Sequence, residues 1–330
     1  MTGTFPRHDR MGYGDIRIYS GTASCDLAAK VAGYLGLTLC GQEVITFPND
    51  NLFIKLNRSV RGQDCYIIQT TSTPVHRNLM ELLITIQTLR LDSASRVTAV
   101  VPYLAYAKSD KKDQPRVPIT ARLVADMIEV AGADRYVMMD LHAGQIQGFF
   151  SIPGDVLTAF FTFVEYAKSI QKDMHNPVVV TPDLGFAKKA RNFAEKIDVP
   201  LAFIEKRRVA NDAKAKAITL IGDVYDRDVI IIDDEIDTGG SMAQAVKIIK
   251  ENGARNIYMF FVHPVLSANA AQVLSELPIT QFITTDTVPI SVEKLTFLGE
   301  RLKILSIAPL LGEVILRANE GRSVGEMFNE

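Results

Sequence analysis

Neither sign of charge prevails in this chain of 330 residues: 36 Lys and Arg stand against 38 Asp and Glu, a formal charge of −2. That balance excludes a generally basic nucleic-acid coat and an acidic solvating tail, though it leaves room for local patches. Cysteine is scarce. The three present, Cys25, Cys40 and Cys65, are odd in number and lack CxxC or zinc spacing. They read as reduced thiols of a cytoplasmic protein, packed as small core residues. Long apolar runs are missing too; 229–232 and 257–262 are strand length, far below the roughly 18 residues of a membrane span. Residues 1–14 carry Arg7, His8, Asp9 and Arg10 and no apolar stretch, which argues against a secretory signal. Neither nucleic acid nor membrane is therefore expected as a partner. What is there is ordinary globular composition, 47% hydrophobic and 22% charged, in a chain long enough for two domains.

The dominant pattern is a β-branched run, a Gly/Ser/Thr/Asp loop, then an amphipathic helix. It appears at 16–19 before Ser20-Gly21-Thr22 and a helix reaching about Leu35. It recurs at 66–69 before Thr70-Thr71-Ser72-Thr73-Pro74 and a helix with Leu79, Leu82, Leu83, Ile86 and Leu89 spaced three and four apart. Residues 97–101 form a continuous apolar strand, as expected when helices cover both faces of a sheet. Further runs at 178–180, 229–232 and 257–262 complete an α/β pattern with parallel sheets. The chain also repeats itself weakly. Asp64-Cys-Tyr-Ile-Ile followed by a loop, a helix and a strand ending at Pro102 corresponds to Asp228-Val-Ile-Ile-Ile and a strand ending at Pro264. No Pro/Ser-rich linker separates the halves, and a boundary is expected near residues 145–160.

The sharpest chemistry lies in Val229-Ile-Ile-Ile-Asp233-Asp234-Glu235-Ile236-Asp237-Thr238-Gly239-Gly240-Ser241. A buried strand delivers adjacent carboxylates to its C-terminal end, where open α/β sheets bind ligands. Two neighbouring acids are too expensive to desolvate in a core, so Asp233 and Asp234 suit sugar hydroxyls or Mg²⁺. Asp237-Thr-Gly-Gly-Ser then opens a helix. Its glycines let backbone N–H groups approach a phosphate, and the helix dipole favours the anion.

This segment resembles the phosphoribosyl-diphosphate signature of type I phosphoribosyltransferase folds. Ser72-Thr-Pro-Val-His-Arg-Asn-Leu-Met-Glu-Leu-Leu, Asp140-Leu-His-Ala-Gly-Gln-Ile-Gln-Gly-Phe-Phe150, Thr181-Pro-Asp-Leu-Gly, Glu205-Lys-Arg-Arg208 and Ile307-Ala-Pro-Leu-Leu narrow the resemblance to the ribose-phosphate pyrophosphokinase family, over roughly residues 15–328. The resemblance implies two tandem type I phosphoribosyltransferase-like domains with parallel sheets flanked by helices: 1–153, with about 304–330 packing back on it as a strand and helix, and 154–303. It also implies transfer of diphosphate from ATP to the C1 hydroxyl of ribose 5-phosphate, with Mg²⁺ as cofactor.

Site residues carry over by position. Asp233, Asp234, Asp237, Thr238, Gly239, Gly240 and Ser241 match the ribose-5-phosphate segment. Lys206 and Arg208, taken to follow a strand at 201–204, match the catalytic cations, with 209–216 as a small, polar flap. His142 and Asp183 match metal-associated residues, whose imidazole nitrogen and carboxylate oxygen are suitable donors. The ATP side is matched by Phe47, Asn49, Asn51, Lys108, Ser109, Asp110, Lys111 and His142. It departs from the family pattern: Asn49 and Asn51 stand where acids are usual, Lys108-Ser109 replaces Arg-Gln, and Lys111 replaces Arg. Asp183-Leu184-Gly185 also replaces a more usual Gly-Gly step. His8, His76, His175 and His263 read as surface or packing residues. The resemblance further implies a homodimer or homohexamer, in which the Phe47 loop reaches a neighbouring subunit. Near Arg58-Ser-Val-Arg61-Gly it implies a phosphate or ADP effector site, with a solvated basic turn as the other reading. Two alternatives stay open: a non-catalytic regulatory relative that binds an active subunit, and a phosphoribosyltransferase.

Overall fold

Strand-forming runs and amphipathic segments alternate into two parallel sheets flanked by helices, in a computed structural model that describes residues 13–182, 184–208 and 216–328. Two compact units result, Met1–Val156 with Ala308–Glu330, and Leu157–Ile307.

In the first unit, β1 (Ile16–Ser20) leads to α1 (Cys25–Tyr34), and β2 (Gln42–Thr46) and β3 (Leu52–Leu56) form a separate antiparallel hairpin. Then come β4 (Asp64–Ile68), α2 (Val75–Leu91), β5 (Arg96–Val101), α3 (Thr120–Ala131), β6 (Arg135–Met139) and β7 (Gly154–Leu157), in sheet order β1-β4-β5-β6-β7. Every residue of β4 and β5 is buried, which is why both are mostly apolar beyond the Asp64 and Arg96 that open them. The helical spacing of Leu79, Leu82, Leu83, Ile86 and Leu89 puts all five in the core beneath α2.

The second unit runs α4 (Phe160–Gln171), β8 (Val178–Thr181), α5 (Ala187–Lys196), β9 (Leu201–Arg208), β10 (Lys216–Ile221), β11 (Val229–Glu235) and α6 (Gly240–Glu251). It continues through β12 (Ile257–His263), α7 (Ala270–Ser275), β13 (Gln281–Thr285), α8 (Val292–Leu298) and β14 (Leu302–Leu305). The sheet order is β10-β9-β8-β11-β12-β13-β14. From β8 the chain builds towards β9, and from β11 it builds the other way towards β12. The β8/β11 junction is thus the switch point at which such sheets open a crevice. The strand foreseen near Ile304 is β14, and it pairs with β13 in this second sheet. The helix after it, α9 (Ala308–Glu320), belongs to the first unit and packs on α1.

The internal repeat has a structural counterpart. Asp64 opens β4 and Asp228 immediately precedes β11; both are buried. Asp228 accepts the His175 N–H at 2.8 Å, the Asn256 N–H at 3.1 Å and the Asn256 side-chain amide at 3.0 Å. Asp64 instead meets Arg96, whose Nε and Nη2 donate to its two oxygens at 2.8 and 2.6 Å. In each half the acid ties the entry of one central strand to the residue that starts or precedes the next.

Cys25, Cys40 and Cys65 are free thiols. Burial, with help from the neighbouring Asp64 charge, pushes the Cys65 thiol up to about 12, so it stays protonated and inert in the core.

Candidate active site

Four buried residues of β11, Val229 to Ile232, precede three half-buried acids, so the strand emerges from the core as its carboxylates begin. Asp233 Oδ1 accepts the Asp234 N–H at 2.9 Å, and Asp234 Oδ1 accepts the Glu235 N–H at 2.8 Å. One oxygen of Asp233 and one of Asp234 is thereby tied to the next peptide, which helps to orient each carboxylate. Ile236 turns back into the core at 2% exposure, and this inward residue lifts Asp237 and Thr238 towards solvent.

Gly239 then caps α6 with φ +78° and ψ −10°. An added Cβ would meet nothing nearer than 3.7 Å, so space does not demand glycine here; the left-handed backbone does. A glycine cap offers no side-chain acceptor of its own to the first turn. Gly240 and Ser241 are exposed. The 12-residue helix therefore presents backbone N–H groups and the positive end of its dipole beside the Thr238 and Ser241 hydroxyls. Asp233, Asp234, Asp237, Thr238, Gly239, Gly240 and Ser241 thus form one continuous lip at the C-terminal edge of β11, next to the end of β8 at Thr181. Asp183 lies outside the described residues.

Lys206 and Arg208 do not follow a strand; they lie in one. β9 runs on to Arg208, and its antiparallel register with β10 pairs Lys206 with Ile218 and Arg208 with Lys216. Apolar character stops at Ile204, but backbone pairing with β10 carries the strand four residues further. The flap expected at 209–216 lies outside the described residues except for Lys216, where β10 begins.

In the first unit, Asp140 follows β6 with φ +35°, a bend that Asp tolerates, and His142 is exposed just beyond it. Asp110 is buried and accepts a hydrogen bond from Gln145 Nε2, so the 106–116 loop is fastened to the His142 block. Lys108 and Lys111 are exposed. Ser109 is committed locally: its Oγ accepts the Thr120 N–H at 3.2 Å and its carbonyl accepts the Ala121 N–H at 3.1 Å, together fixing the start of α3. Gln145, which holds Asp110, is not among the residues singled out by motif. The signal was its place inside the His142 block, two residues before Gln147.

Phe47 stands on the β2–β3 hairpin, 45% exposed, with its ring 6.2 Å from that of Phe53. Asn49 Oδ1 accepts the Asn51 N–H at 3.3 Å and so shapes the tip, where Asp50 is left-handed at φ +65°. Arg77 on α2 donates to Thr46 Oγ1 at 3.0 Å and anchors the hairpin. A separate cavity of about 390 Å³ is lined by Arg17, Tyr19, Cys40, Asn57, Arg58 and Ser59, among others. Among the described residues, no group of three or more His, Cys, Asp or Glu side chains is arranged to hold a metal ion, and no helix is long and apolar enough to cross a membrane.

Comparison with known proteins places these features in a family. A family model for the N-terminal domain of ribose phosphate pyrophosphokinase matches residues 16–132, and one for the phosphoribosyl synthetase-associated domain matches residues 206–329. The chain is 44% identical over 315 residues to the ribose-phosphate pyrophosphokinase of Caldanaerobacter subterraneus subsp. tengcongensis, covering 95% of this chain and 98% of that one. With the enzyme of the same name from Wolinella succinogenes it shares 41% over 312 residues, 94% and 98% of the two chains. Among solved structures, the phosphoribosylpyrophosphate synthetase from Mycobacterium smegmatis matches with a TM-score of 0.87 at 40% identity, covering 93% of this chain and 99% of that one.

Proposed function

The chain belongs to the ribose-phosphate pyrophosphokinase family, and from that membership we propose how its residues divide the work of making phosphoribosyl diphosphate. The reaction carries diphosphate from ATP to ribose 5-phosphate and releases AMP. The C1 hydroxyl oxygen bonds to the β-phosphorus and releases its proton to solvent. The bond from that phosphorus to the α–β bridging oxygen breaks, and the oxygen leaves with AMP.

The observation that carries the assignment is the β11–α6 lip: paired acids and a helix start capped by glycine at the sheet's switch point. Asp233 and Asp234 accept hydrogen bonds from the ribose hydroxyls. The backbone of 238–241, with Thr238 and Ser241, holds the 5-phosphate, and Asp237 lines the turn between them. Lys206 and Arg208 act as catalytic cations on the moving diphosphate. Lys108 and Lys111, on a loop that Ser109 and Asp110 hold in place, border ATP with His142. Phe47, with Asn49 and Asn51, faces the base from the hairpin.

Mg²⁺ suits the donor chemistry. It asks for one or two carboxylates, completed by waters and substrate phosphates; the acids of β11 are donors of that kind, and Asp183 and His142 are the positions that match metal-associated residues of the family. When bound, the ion neutralises phosphate charge. The assembly is a homodimer or homohexamer, in keeping with the exposed Ile45, Phe47 and Phe53 of the hairpin. A phosphate or ADP effector is the ligand that the Arg17/Arg58 cavity suits. Three free thiols fit a cytoplasmic setting.

Asp234→Asn tests the lip. It keeps the shape and removes the charge, so the KM for ribose 5-phosphate should rise roughly ten- to a hundredfold, the size of a charged hydrogen bond, with the KM for ATP little changed. An unchanged KM for ribose 5-phosphate would remove Asp234 from the sugar site.

A further inference from the structure

His263 belongs to none of the motifs above, yet it ends β12 directly opposite Glu235 of β11 and is 3% exposed. We propose that His263 is a positioning residue for ribose 5-phosphate, holding the strand end on which the 236–239 loop is moulded. The proposal rests on the reading that this loop and its acids bind the sugar phosphate.

On its β11 side, the backbone after His263 acts as a template. The Ile236 N–H donates to the His263 carbonyl at 3.1 Å, the Leu266 N–H to the Ile236 carbonyl at 2.9 Å, and the Ser267 N–H to the Asp237 carbonyl at 2.9 Å. Those three bonds set the path of the chain between the acid pair and Gly239. A shift of the template therefore shifts the glycine turn and the first N–H groups of α6 against the two carboxylates.

On its β13 side, the same strand end is clamped by hydroxyls. The β12–β13 register ends at Phe261 opposite Thr284. The next carbonyl, Val262, accepts from Thr284 at 3.3 Å, Thr285 at 2.8 Å and Thr287 at 3.2 Å. Thr285 Oγ1 in turn accepts the Thr287 N–H at 3.2 Å. His263 Nδ1 lies 2.9 Å from Thr287 Oγ1 and joins the imidazole to the clamp. One residue thus spans both sides, its carbonyl bonded to the loop and its ring bonded to the threonines. A leucine would fill the space at lower desolvation cost, so a buried imidazole here signals a need for direction rather than volume.

The test compares steady-state kinetics of His263→Leu, His263→Asn, Thr287→Val and Asp234→Asn in the full-length enzyme. His263→Leu should raise the KM for ribose 5-phosphate about tenfold, with the KM for ATP and kcat each within about twofold. Asparagine places an amide near the Nδ1 position, so His263→Asn should recover the KM to within about threefold of the unaltered enzyme. Thr287→Val should move the same constant in the same direction, and it serves as the deciding variant if His263→Leu does not fold. An unchanged KM for ribose 5-phosphate, an equal rise in both KM values, or failure of asparagine to restore it would overturn the proposal. If Asp234→Asn also leaves that KM unchanged, the sugar-site reading itself has failed; if Asp234→Asn raises it and His263→Leu does not, only the role of His263 has.

Discussion

Lys206→Ala is expected to lower kcat about 10³-fold while the KM for ribose 5-phosphate stays within about threefold. The reaction moves a diphosphate between two oxygens and creates no carbanion or acyl intermediate. Placement of positive charge around the migrating group is therefore the main chemical service a side chain can give. Lysine supplies a compact ammonium that tracks a moving charge as a point, and Arg208 adds a planar fork. Their backbone lies in the β9–β10 pairing, so both residues are carried by an antiparallel arm. Lys206→Arg separates charge from geometry: it keeps the charge and changes its shape, and should retain more activity than alanine. A rise in the KM for either substrate with kcat unchanged would mean that Lys206 binds ground state and transition state alike, and would remove it from catalysis.

The second large effect is on stability. Arg96→Leu should cost about 3–5 kcal/mol, because it leaves Asp64 buried without its cation. Asp64 is 0% exposed, and its oxygens also accept from Tyr66 Oη at 2.8 Å and Asn319 Nδ2 at 2.9 Å. Arg96 reaches the Ala318 carbonyl at 3.0 Å, and Tyr66 Oη the Ile315 carbonyl at 3.3 Å. Burial, and then the Asp64 charge, push the Tyr66 phenol up, so it remains a donor. The pair thus joins β4, β5 and α9, and its loss should free α9 to early proteolysis. Asp64→Leu combined with Arg96→Leu removes both charges and should recover part of the loss in urea unfolding. A double variant as unstable as the sum of the two single ones would show that the pair does not act as a unit.

The fold is legible in sequence where burial is symmetrical. Strands covered on both faces, such as β4, β5 and β11, are forced to be largely apolar along their buried stretches. The β11–α6 lip is legible because acids and glycines must be adjacent in sequence to be adjacent at one strand end. Features made by pairing are not legible. Nothing in Lys206-Arg207-Arg208 signals a strand, since its partner β10 begins across seven intervening residues. Terminal β14 carries no mark of the sheet it joins; that is decided by the open edge of β13. His263 and Gln145 make contacts with Thr287 and Asp110, 24 and 35 residues away, which a linear reading cannot bring together. Ser109 shows the converse. Its place in an ATP-loop motif drew attention to a ligand, while its hydroxyl accepts the first N–H of α3.

The reaction itself can be measured directly. The purified chain, given ribose 5-phosphate, Mg²⁺ and ATP, should release AMP and form phosphoribosyl diphosphate in equal amounts, with no AMP when ribose 5-phosphate is omitted. GTP and CTP in parallel reactions report how the Asn49 and Asn51 hairpin selects its base. Absence of AMP above background with ATP, and of the corresponding monophosphate with GTP and CTP, would contradict the claim.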